Sequence, residues 1–199
     1  MFVTFEGLDG SGKTTQVELL RKLLEEEGRE VVVTREPGGT ELGEHVRDVV
    51  LHRDLEIGPW AEAALFAAAR AQLVEAVIAP ALERGADVLC DRYIDSSLAY
   101  QGIARGLGVD RVLDLNLQAT RGLLPDRTVL LLVDAAESRR RTSETWDRIE
   151  REDDDFVGKV DRAYRELAEL FPGRILAVDG TQQPDQLAES IRGQLRDIS

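Results

Sequence analysis

Several residue types are scarce in this chain of 199 residues, and each scarcity excludes something. Cysteine occurs only at Cys90, so an intramolecular disulfide and a cysteine-based metal site are both excluded, and this residue is expected to be buried on a strand. No apolar run approaches the roughly 18 residues of a membrane span. The chain starts directly with a strand-like run instead of the pattern of a signal peptide. These features predict a cytoplasmic protein that spans no membrane.

Positive charge is also scarce. The chain has 25 basic and 38 acidic residues and a net charge of −13, which argues against a general nucleic-acid-binding surface. Lysine occurs only at Lys13, Lys22 and Lys159, so nearly all basic residues are arginine. Such a composition is typical of proteins kept soluble in a salt-rich cytoplasm, and a GC-rich genome with an ordinary acidic surface is the alternative. Any phosphate site must be a local positive pocket in a negative protein.

One glycine-rich stretch fits the phosphate-binding pattern G-x-x-x-x-G-K-[ST]. It lies between a β-prone run and a helix-periodic run, which makes a chance match in a turn the weaker interpretation. Lys13 is predicted to reach the β- and γ-phosphates of a nucleotide, and the Thr14 hydroxyl is predicted to bind Mg²⁺. The predicted nucleotide-binding residues of this stretch are Gly7, Leu8, Asp9, Gly10, Ser11, Gly12, Lys13, Thr14 and Thr15.

Strand-like and helix-like patterns alternate along the whole chain. This alternation predicts an α/β fold, with one parallel sheet of five buried strands and helices on both faces. Right-handed crossovers and a phosphate loop after the first strand favour the strand order 2-3-1-4-5. We expect residues 1–199 to form one domain. The strands are predicted at 2–5, 31–34, 87–93, 128–134 and 175–178.

Other segments carry candidate chemistry beside these strands. Asp91 follows the third strand and suits a role in holding Mg²⁺, with a helix cap or a surface salt bridge as the alternative. Residues 94–102 supply hydroxyls, an amide and an aromatic ring suited to reading a base edge. The alanine-rich stretch 60–84 is apolar on more than one face, which predicts core packing or a dimer surface. The polar segment 142–155 suits a mobile lid or a solvated helix face.

Four motifs in this order resemble the thymidylate kinase family, which transfers the γ-phosphoryl of ATP to dTMP. They occupy residues 5–15, 35–40, 65–70 and 91–102. The resemblance implies a P-loop nucleoside-monophosphate-kinase-like fold, ATP and Mg²⁺ as cofactors, dTMP as acceptor and a homodimer through the helix at 60–84. Another kinase of the same fold, a P-loop GTPase or ATPase, and a non-catalytic protein are the rival interpretations. A guanine-binding Asn-Lys-x-Asp motif is lacking, and the intact Lys13, Thr14 and Asp91 disfavour loss of catalysis.

The resemblance also implies roles in the acceptor site. Phe66 would stack on thymine, and Arg70 would hydrogen-bond the base. Arg47 and Arg92 would grip the acceptor phosphate, while Asp9 would lie near these arginines and the acceptor sugar. The remaining acceptor-site residues would be Glu36, Pro37, Ser97, Tyr100 and Gln101.

A catalytic arginine is expected from the lid, at about 139–155, because the phosphate loop lacks the arginine that some family members carry there. Residues 147–150 match the family's lid signature, whereas Ser143 stands where some members have an arginine. This leaves Arg139, Arg140, Arg141 and Arg148 as candidates, and Arg141 is favoured. Arg139 and Thr181 are further candidates for contacts with ATP. The predicted catalytic residues are Asp9, Lys13, Arg92, Arg141 and Arg148.

Overall fold

The computed structural model describes residues 1–53, 55–141, 147–149 and 151–196. At its centre lies a five-stranded sheet in the order β2-β3-β1-β4-β5, in which every neighbouring pair is parallel. The predicted fold class and strand order are therefore confirmed. The strands are β1 Phe2–Glu6, β2 Val31–Arg35, β3 Asp87–Asp91, β4 Arg127–Leu132 and β5 Ile175–Asp179.

Helices cover both faces of this sheet. Three of them continue into π-helical turns, at Asp48–His52, Val74–Ile78 and Leu98–Ala104. In the part of the chain described, the α-helices are α1 Lys13–Glu26, α2 Glu41–Arg47, α3 Pro59–Leu73, α4 Ala79–Glu83, α5 Ile94–Ser97, α6 Val109–Ala119, α7 Ala135–Arg141, α8 Asp154–Leu170 and α9 Pro184–Leu195. Helix α6 ends before Gly122, whose backbone is left-handed with a φ of 78°.

Two apolar layers hold the helices on the sheet. On one face, Val3 and Phe5 of β1 pack with residues of α1 and α9, including Leu20. On the other face, β3 packs with the long helical segment that begins with α3, and with α8. Cys90 lies in this second layer with no exposed surface, as the sequence predicts. Burial of this kind contributes about 25 cal/mol per Å² of apolar surface removed from water.

The prediction that all five strands are buried is wrong for the two strands at the edges of the sheet. In β2 only Thr34 is buried, and Val33 is 38% exposed. In β5 only Ile175 is buried. The reason is topological, because an edge strand has one neighbour and less helix cover, whereas β1 and β3 lie inside the sheet.

Helices α3 and α4 and the π-helical turn between them form one continuous helical segment. The segment Pro59–Glu83 is long and apolar enough to cross a membrane by length and composition alone. This is weak evidence, because the core helix of a soluble protein passes the same test. Leu73 and Ile78 have no exposed surface and belong to the core on the sheet, and Arg70 is buried among polar partners. One face of the segment therefore packs in the core, and 39% of its apolar 18-residue stretch is buried.

The sheet register brings the candidate residues together. Phe5 of β1 lies opposite Asp91 of β3, so the loop after β1 begins beside the carboxyl end of β3. The backbone of Arg92 then turns with a left-handed φ of 69°, and its N–H donates to the carbonyl of Phe5 at 2.9 Å. Phe5 and Asp91, which are 86 positions apart in the chain, therefore lie side by side at the carboxyl ends of their strands, where parallel sheets bind ligands.

Candidate active site

The glycine-rich loop follows β1 closely and leads into α1. Gly7 has a φ of 134°, and a Cβ there would lie 2.5 Å from the carbonyl oxygen of Leu131, so a larger residue does not fit. Gly12 precedes α1 with a φ of 99° and caps it without a side-chain hydrogen bond. The first N–H groups of α1 therefore point into the loop, which is the arrangement that binds phosphates at helix N-termini.

Lys13 and Thr14 project from the start of α1 into this loop. The Lys13 Nζ donates to the carbonyl oxygens of Gly7 and Leu8, at 3.1 and 2.9 Å. The Thr14 Oγ1 donates to Asp91 Oδ2 at 2.8 Å. A hydroxyl and a carboxylate side by side at a phosphate loop fit the oxygen ligands that Mg²⁺ prefers. The structure thus brings together the two residues predicted to hold the metal.

A cavity of about 150 Å³ opens beside the loop, at the carboxyl ends of β2 and β3. All ten residues predicted for the acceptor site line it. Leu51, Ser96, Asp147 and Ile149 also line it and were not predicted. We call this cavity the acceptor pocket; its predicted lining residues are Asp9, Glu36, Pro37, Arg47, Phe66, Arg70, Arg92, Ser97, Tyr100 and Gln101.

A second, larger pocket of about 730 Å³ follows the loop, and we call it the loop pocket. It is lined by Lys13, Thr14 and Asp91 among others. The two pockets share a wall of four residues, all of them charged and two of them arginines. The shared residues are Asp9, Glu36, Arg47 and Arg92. Two anionic groups, one in each pocket, would meet at this wall.

Arg92 is the best-anchored residue of the shared wall. Its Nη2 donates to Asp9 Oδ1 at 2.5 Å, and its Nη1 donates to Ser96 Oγ at 3.2 Å and to the Tyr164 hydroxyl at 3.1 Å. Its guanidinium also lies over the ring of Tyr100, 5.5 Å from the centroid. Burial raises the pKa of Asp9, but Arg92 and Lys13 outweigh burial and hold that pKa at about 2. Asp9 therefore stays ionised and holds Arg92 in place.

The buried carboxylate of Glu6 supports the position of Arg92. Glu6, at the end of β1, has no exposed surface. Its Oε1 accepts from the Tyr93 N–H at 2.8 Å, and its Oε2 accepts from Ser96 Oγ at 2.6 Å and from the Tyr164 hydroxyl at 3.0 Å. Burial raises the pKa of Glu6, although these donors and Arg92 favour its ionised form. Glu6 thereby fixes the two hydroxyls that contact Arg92.

Arg70 is fully enclosed at the base of the acceptor pocket, with 1% of its surface exposed. Its Nε and Nη2 donate to Glu36 Oε2, at 2.7 and 2.5 Å. Its Nη2 also donates to the carbonyl oxygen of Tyr93 at 3.0 Å. Its Nη1 donates to Ser97 Oγ at 3.0 Å and to Asn116 Oδ1. All five N–H bonds of the guanidinium are engaged, so a direct bond to a base must share one of them.

Glu36 is the charged partner of Arg70 and is itself 5% exposed. Burial raises its pKa to about 7, with Arg70 opposing the shift. Its second oxygen, Oε1, is buried without a hydrogen-bond partner among the described residues. The peptide bond between Glu36 and Pro37 is cis, and the carbonyl oxygen of Pro37 accepts from Arg47 at 3.0 Å. The motif at 35–40 therefore supplies two contacts: Glu36 binds Arg70 at the buried end of the acceptor pocket, and Pro37 binds Arg47 of the shared wall.

Comparison with known proteins decides which family this architecture represents. The family model for thymidylate kinase matches residues 5–191. A thymidylate kinase of Clavibacter sepedonicus is 53% identical over 195 residues, which cover 96% of this chain and 92% of that protein. One of Bifidobacterium longum strain NCC 2705 is 48% identical over 203 residues, which cover 100% of this chain and 98% of that protein.

The chain belongs to the thymidylate kinase family.

The fold agrees with that membership. A crystal structure of thymidylate kinase from Ehrlichia chaffeensis has a TM-score of 0.82 to this chain at 31% sequence identity, with 98% of each chain covered. The four motifs that carry the sequence resemblance lie around the acceptor and loop pockets.

The arginines predicted for the lid divide into two groups in this structure. Arg141 lines the loop pocket; its Nε donates to Glu137 Oε1 at 2.5 Å and its Nη1 to the Gly180 carbonyl at 3.1 Å. Arg139 pairs with Asp154, and Arg140 donates to Glu137. Arg148, in contrast, does not line the acceptor pocket or the loop pocket. Residues 142–146 of the predicted lid, which include Ser143, and residue 150 lie outside the described residues.

Arg148 stands between Asp147 and Ile149, which line the acceptor pocket, and is held by the buried carboxylate of Glu62. Its Nε donates to the carbonyl oxygen of Val50 at 2.7 Å, and its Nη2 pairs with Glu62. Glu62 is 1% exposed and also accepts from Gln101 Nε2 at 2.9 Å and Arg105 Nε at 3.3 Å. Burial raises the pKa of Glu62, but these donors outweigh burial and lower it. Glu62 thus joins Gln101 of the acceptor pocket to the segment predicted as the lid signature.

A third pocket, of about 370 Å³, lies on the other side of the loop, and we call it the outer pocket. It shares four residues with the loop pocket. Thr181 lines it, with its hydroxyl donating to Asp179 Oδ1 at 2.6 Å. A Cβ on Gly180 would lie 3.1 Å from the Ser11 carbonyl oxygen, so the two loops touch here. The shared residues are Gly10, Gly12, Thr15 and Arg141.

Four supporting residues were missed from the sequence. Glu6 ends an apolar strand, and Glu62, Asn116 and Tyr164 are polar positions within the buried faces of their helices. A polar residue on an apolar helix face is a usable signal, because burying it requires a partner. The sequence pattern does not name that partner, since Gln101 lies 39 positions from Glu62, and Glu6 lies 158 positions from Tyr164.

Proposed function

We propose that the three pockets hold the two nucleotides of the thymidylate kinase reaction. ATP would bind along the loop and outer pockets, and dTMP in the acceptor pocket. The family's reaction is the ATP-dependent phosphorylation of dTMP to dTDP, and this chain is a dTMP kinase. The observation that carries the placement is the charged wall of Asp9, Glu36, Arg47 and Arg92 between the acceptor and loop pockets.

The shared wall suits transfer between two phosphates that repel each other. Arg92 and Arg47 would bind the acceptor phosphate, with Asp9 orienting Arg92 through their 2.5 Å bond. Lys13 would leave the loop carbonyls and reach the transferred phosphoryl from the opposite side. The acceptor is a phosphate oxygen, which is already a competent nucleophile. Positioning and charge neutralisation therefore carry the rate, and no general base is needed.

Mg²⁺ fits the pair formed by the Thr14 hydroxyl and the Asp91 carboxylate, because both are hard oxygen ligands at the loop pocket. When bound there, the ion supplies positive charge to the phosphates of ATP. Thr14 and Asp91 are the residues that would hold it, and their 2.8 Å hydrogen bond keeps the two oxygens together. The neighbouring N–H groups of α1 would bind the same phosphates.

The deeper end of the acceptor pocket would take the thymine ring. Phe66 offers an apolar face for stacking, and the buried group of Arg70, Ser97 and Gln101 offers the polar contacts. The Ser97 hydroxyl accepts from Arg70, so its own hydrogen remains for an acceptor on the base. Tyr100 and Pro37 would enclose the sugar between the base and the phosphate.

The lid, at about 139–155, would supply the arginine that acts in the transition state. Arg141 suits this role because it lies at the boundary of the loop and outer pockets, whereas Arg148 is bound to Glu62. Arg148 would instead anchor the lid signature to the acceptor side. On this proposal, the chain is one of the family members whose catalytic arginine comes from the lid.

A homodimer through the helical segment 60–84 completes the proposal. Only 39% of the most apolar 18-residue stretch of that segment is buried within the chain. A second copy would cover exposed apolar surface that a monomer leaves in water. Sedimentation equilibrium tests this: a dimer mass supports the interface, and a monomer at micromolar concentration refutes it. We further propose that the enzyme works in the cytoplasm, without a nucleic-acid or membrane partner.

The activity is tested by ADP release from ATP and Mg²⁺ with dTMP, dUMP, dCMP, dAMP, dGMP or no acceptor. We expect turnover that depends strongly on dTMP. Turnover with a different monophosphate would keep the phosphate loop and overturn the assignment of the acceptor pocket. Hydrolysis of ATP without any acceptor would move the chain to the rival ATPase class.

A further inference from the structure

Asn116 is the least expected member of the buried group under the acceptor pocket. It lies on α6, has no exposed surface and does not line the pocket. Its Nδ2 donates to the carbonyl oxygen of Val112 at 2.7 Å, and its Oδ1 accepts from Arg70 Nη1. Because only the amide nitrogen can donate to a carbonyl, the oxygen of the amide must face Arg70.

Asn116 completes the hydrogen bonding of Arg70. Glu36 and the carbonyl of Tyr93 engage Nε and Nη2, while Ser97 and Asn116 share the two hydrogens of Nη1. One Nη1 hydrogen of Arg70 therefore bonds to the Asn116 side chain on α6, and the other bonds to the Ser97 hydroxyl oxygen. Without it, an unpaired N–H of a buried cation would draw the guanidinium out of this orientation.

We propose that Asn116 is a positioning residue for base selection, which holds Arg70 so that the Ser97 hydroxyl is directed at the 4-oxo group of the pyrimidine. The proposal rests on the dTMP kinase function and deepens it. Thymine and uracil present an oxygen acceptor at this position, whereas cytosine presents an amino donor. The group of Asn116, Arg70 and Ser97 therefore distinguishes oxo from amino pyrimidines. The 5-methyl group, which distinguishes dTMP from dUMP, is not contacted through Asn116.

Kinetics of Asn116→Leu test this proposal, because leucine has a similar shape but no acceptor oxygen. We expect the kcat/KM ratio of dTMP to dCMP to fall by about tenfold or more, the value of one lost bond to a buried charged group. The KM for dTMP should rise more than kcat falls. The ratio of dTMP to dUMP should stay within about twofold of the wild type, since both substrates carry the 4-oxo group.

Thr120→Val is the matched control. Thr120 is 1% exposed on the turn that follows Asn116, and its hydroxyl donates to the Asn116 carbonyl oxygen at 2.9 Å. It has no hydrogen bond to Arg70 among those found in the described residues. Its loss therefore removes the hydrogen bond to the end of α6 and a side-chain contact with Tyr93, and it leaves every acceptor of Arg70 in place. Both variants should lose thermal stability, and only Asn116→Leu should lose selectivity.

Asn116→Asp provides a second variant, because it keeps an oxygen acceptor at Arg70. It should retain dTMP over dCMP selectivity within about threefold, which keeps the test valid if the leucine variant does not fold. The proposal is overturned if Asn116→Leu keeps its selectivity, if Asn116→Asp folds and loses it, or if Thr120→Val loses it equally. A wild-type enzyme that does not phosphorylate dTMP would instead overturn the proposed function.

Discussion

Arg141 is the residue on which the lid-arginine proposal depends, and replacement by alanine tests it. Its guanidinium is held by Glu137 Oε1 at 2.5 Å and by the Gly180 carbonyl at 3.1 Å, at the boundary between the loop and outer pockets. From there it can turn toward a phosphoryl group that is leaving ATP. We expect Arg141→Ala to lower kcat much more than it raises either KM, because the contact forms in the transition state.

The size of the effect follows from charge and exposure. A unit positive charge about 4 Å from developing negative charge contributes about 4 kcal/mol at an effective dielectric constant of ~20. The Arg141 side chain is 33% exposed, so solvent screening reduces this value. We take about 2–3 kcal/mol after screening, which corresponds to a roughly 30- to 150-fold decrease in kcat.

Arg140→Ala is the matched control for this measurement. Arg140 lies on the same helix and donates to the same carboxylate, Glu137, at 2.9 Å through both Nε and Nη2. Its side chain is 76% exposed, and Arg140 does not line the acceptor, loop or outer pocket. Its removal should leave kcat within about twofold. Steady-state kinetics with ATP and dTMP varied separately give both constants for each variant.

Two outcomes would refute the reasoning about Arg141. If Arg141→Ala keeps kcat within about twofold of the wild type, a different residue acts in the transition state. If Arg140→Ala lowers kcat as much as Arg141→Ala, the effect comes from a weakened α7. Arg141→Lys should fall between wild type and alanine, because it keeps the charge but loses the planar fork of donors.

Five further predictions concern pH, stability, metal and salt. Ionised Glu36 pairs more strongly with Arg70 than protonated Glu36 does, so kcat/KM for dTMP should rise as the pH increases through about 7. In Glu36→Gln that rise should be lost, and only the titration of the substrate phosphate near pH ~6 should remain. The same raised pKa means that Glu36 contributes less to the free energy of unfolding as the pH rises from 4.5 to about 7, because Glu36 loses its proton at a lower pH in the unfolded chain than in the folded one. Urea titrations of wild type and Glu36→Gln over this pH range measure that decrease. Arg148→Ala should lower the free energy of unfolding by about 1–3 kcal/mol, since buried Glu62 loses a donor, and an unchanged urea midpoint would contradict this. Asp91→Asn should raise the Mg²⁺ concentration for half-maximal rate roughly 10- to 100-fold, and a change below threefold would exclude Asp91 as a metal-holding group. Molar KCl should raise activity and stability by screening the net charge of −13, and a flat salt profile would leave the acidic surface without that role.

The sequence was sufficient for the fold class and strand order, and it named ten of the fourteen described residues that line the acceptor pocket. Apolar runs of strand length alternate with helix-periodic segments, and this alternation identifies the α/β class. The right-handedness of the crossovers then restricts the strand order. The phosphate loop is readable because it is local, with its glycines, Lys13 and Thr14 within eight consecutive positions. The acceptor residues were placed by resemblance, and all ten line one cavity.

The burial of individual strands and the pairing of charged side chains could not be predicted from the sequence in this way. The run at 31–34 is apolar, yet β2 is an edge strand with an exposed Val33, because exposure depends on which strands are neighbours. Composition and motif spacing likewise do not say that Arg148 is bound to Glu62, 86 positions away, whereas Arg141 lies at the loop pocket. Ion pairs over such separations form only when packing brings the two side chains together.

The sequence by itself determined the α/β order, the phosphate loop and the residue types that can neutralise two phosphates. Only the tertiary structure decided how those residues are held. Arg70 could be named as a base-contacting arginine, but its bonds to Glu36, Ser97 and Asn116 span between 27 and 46 positions. The physical reason is that local preference acts over one or two turns of chain, whereas the orientation of a buried guanidinium is set by every acceptor around it.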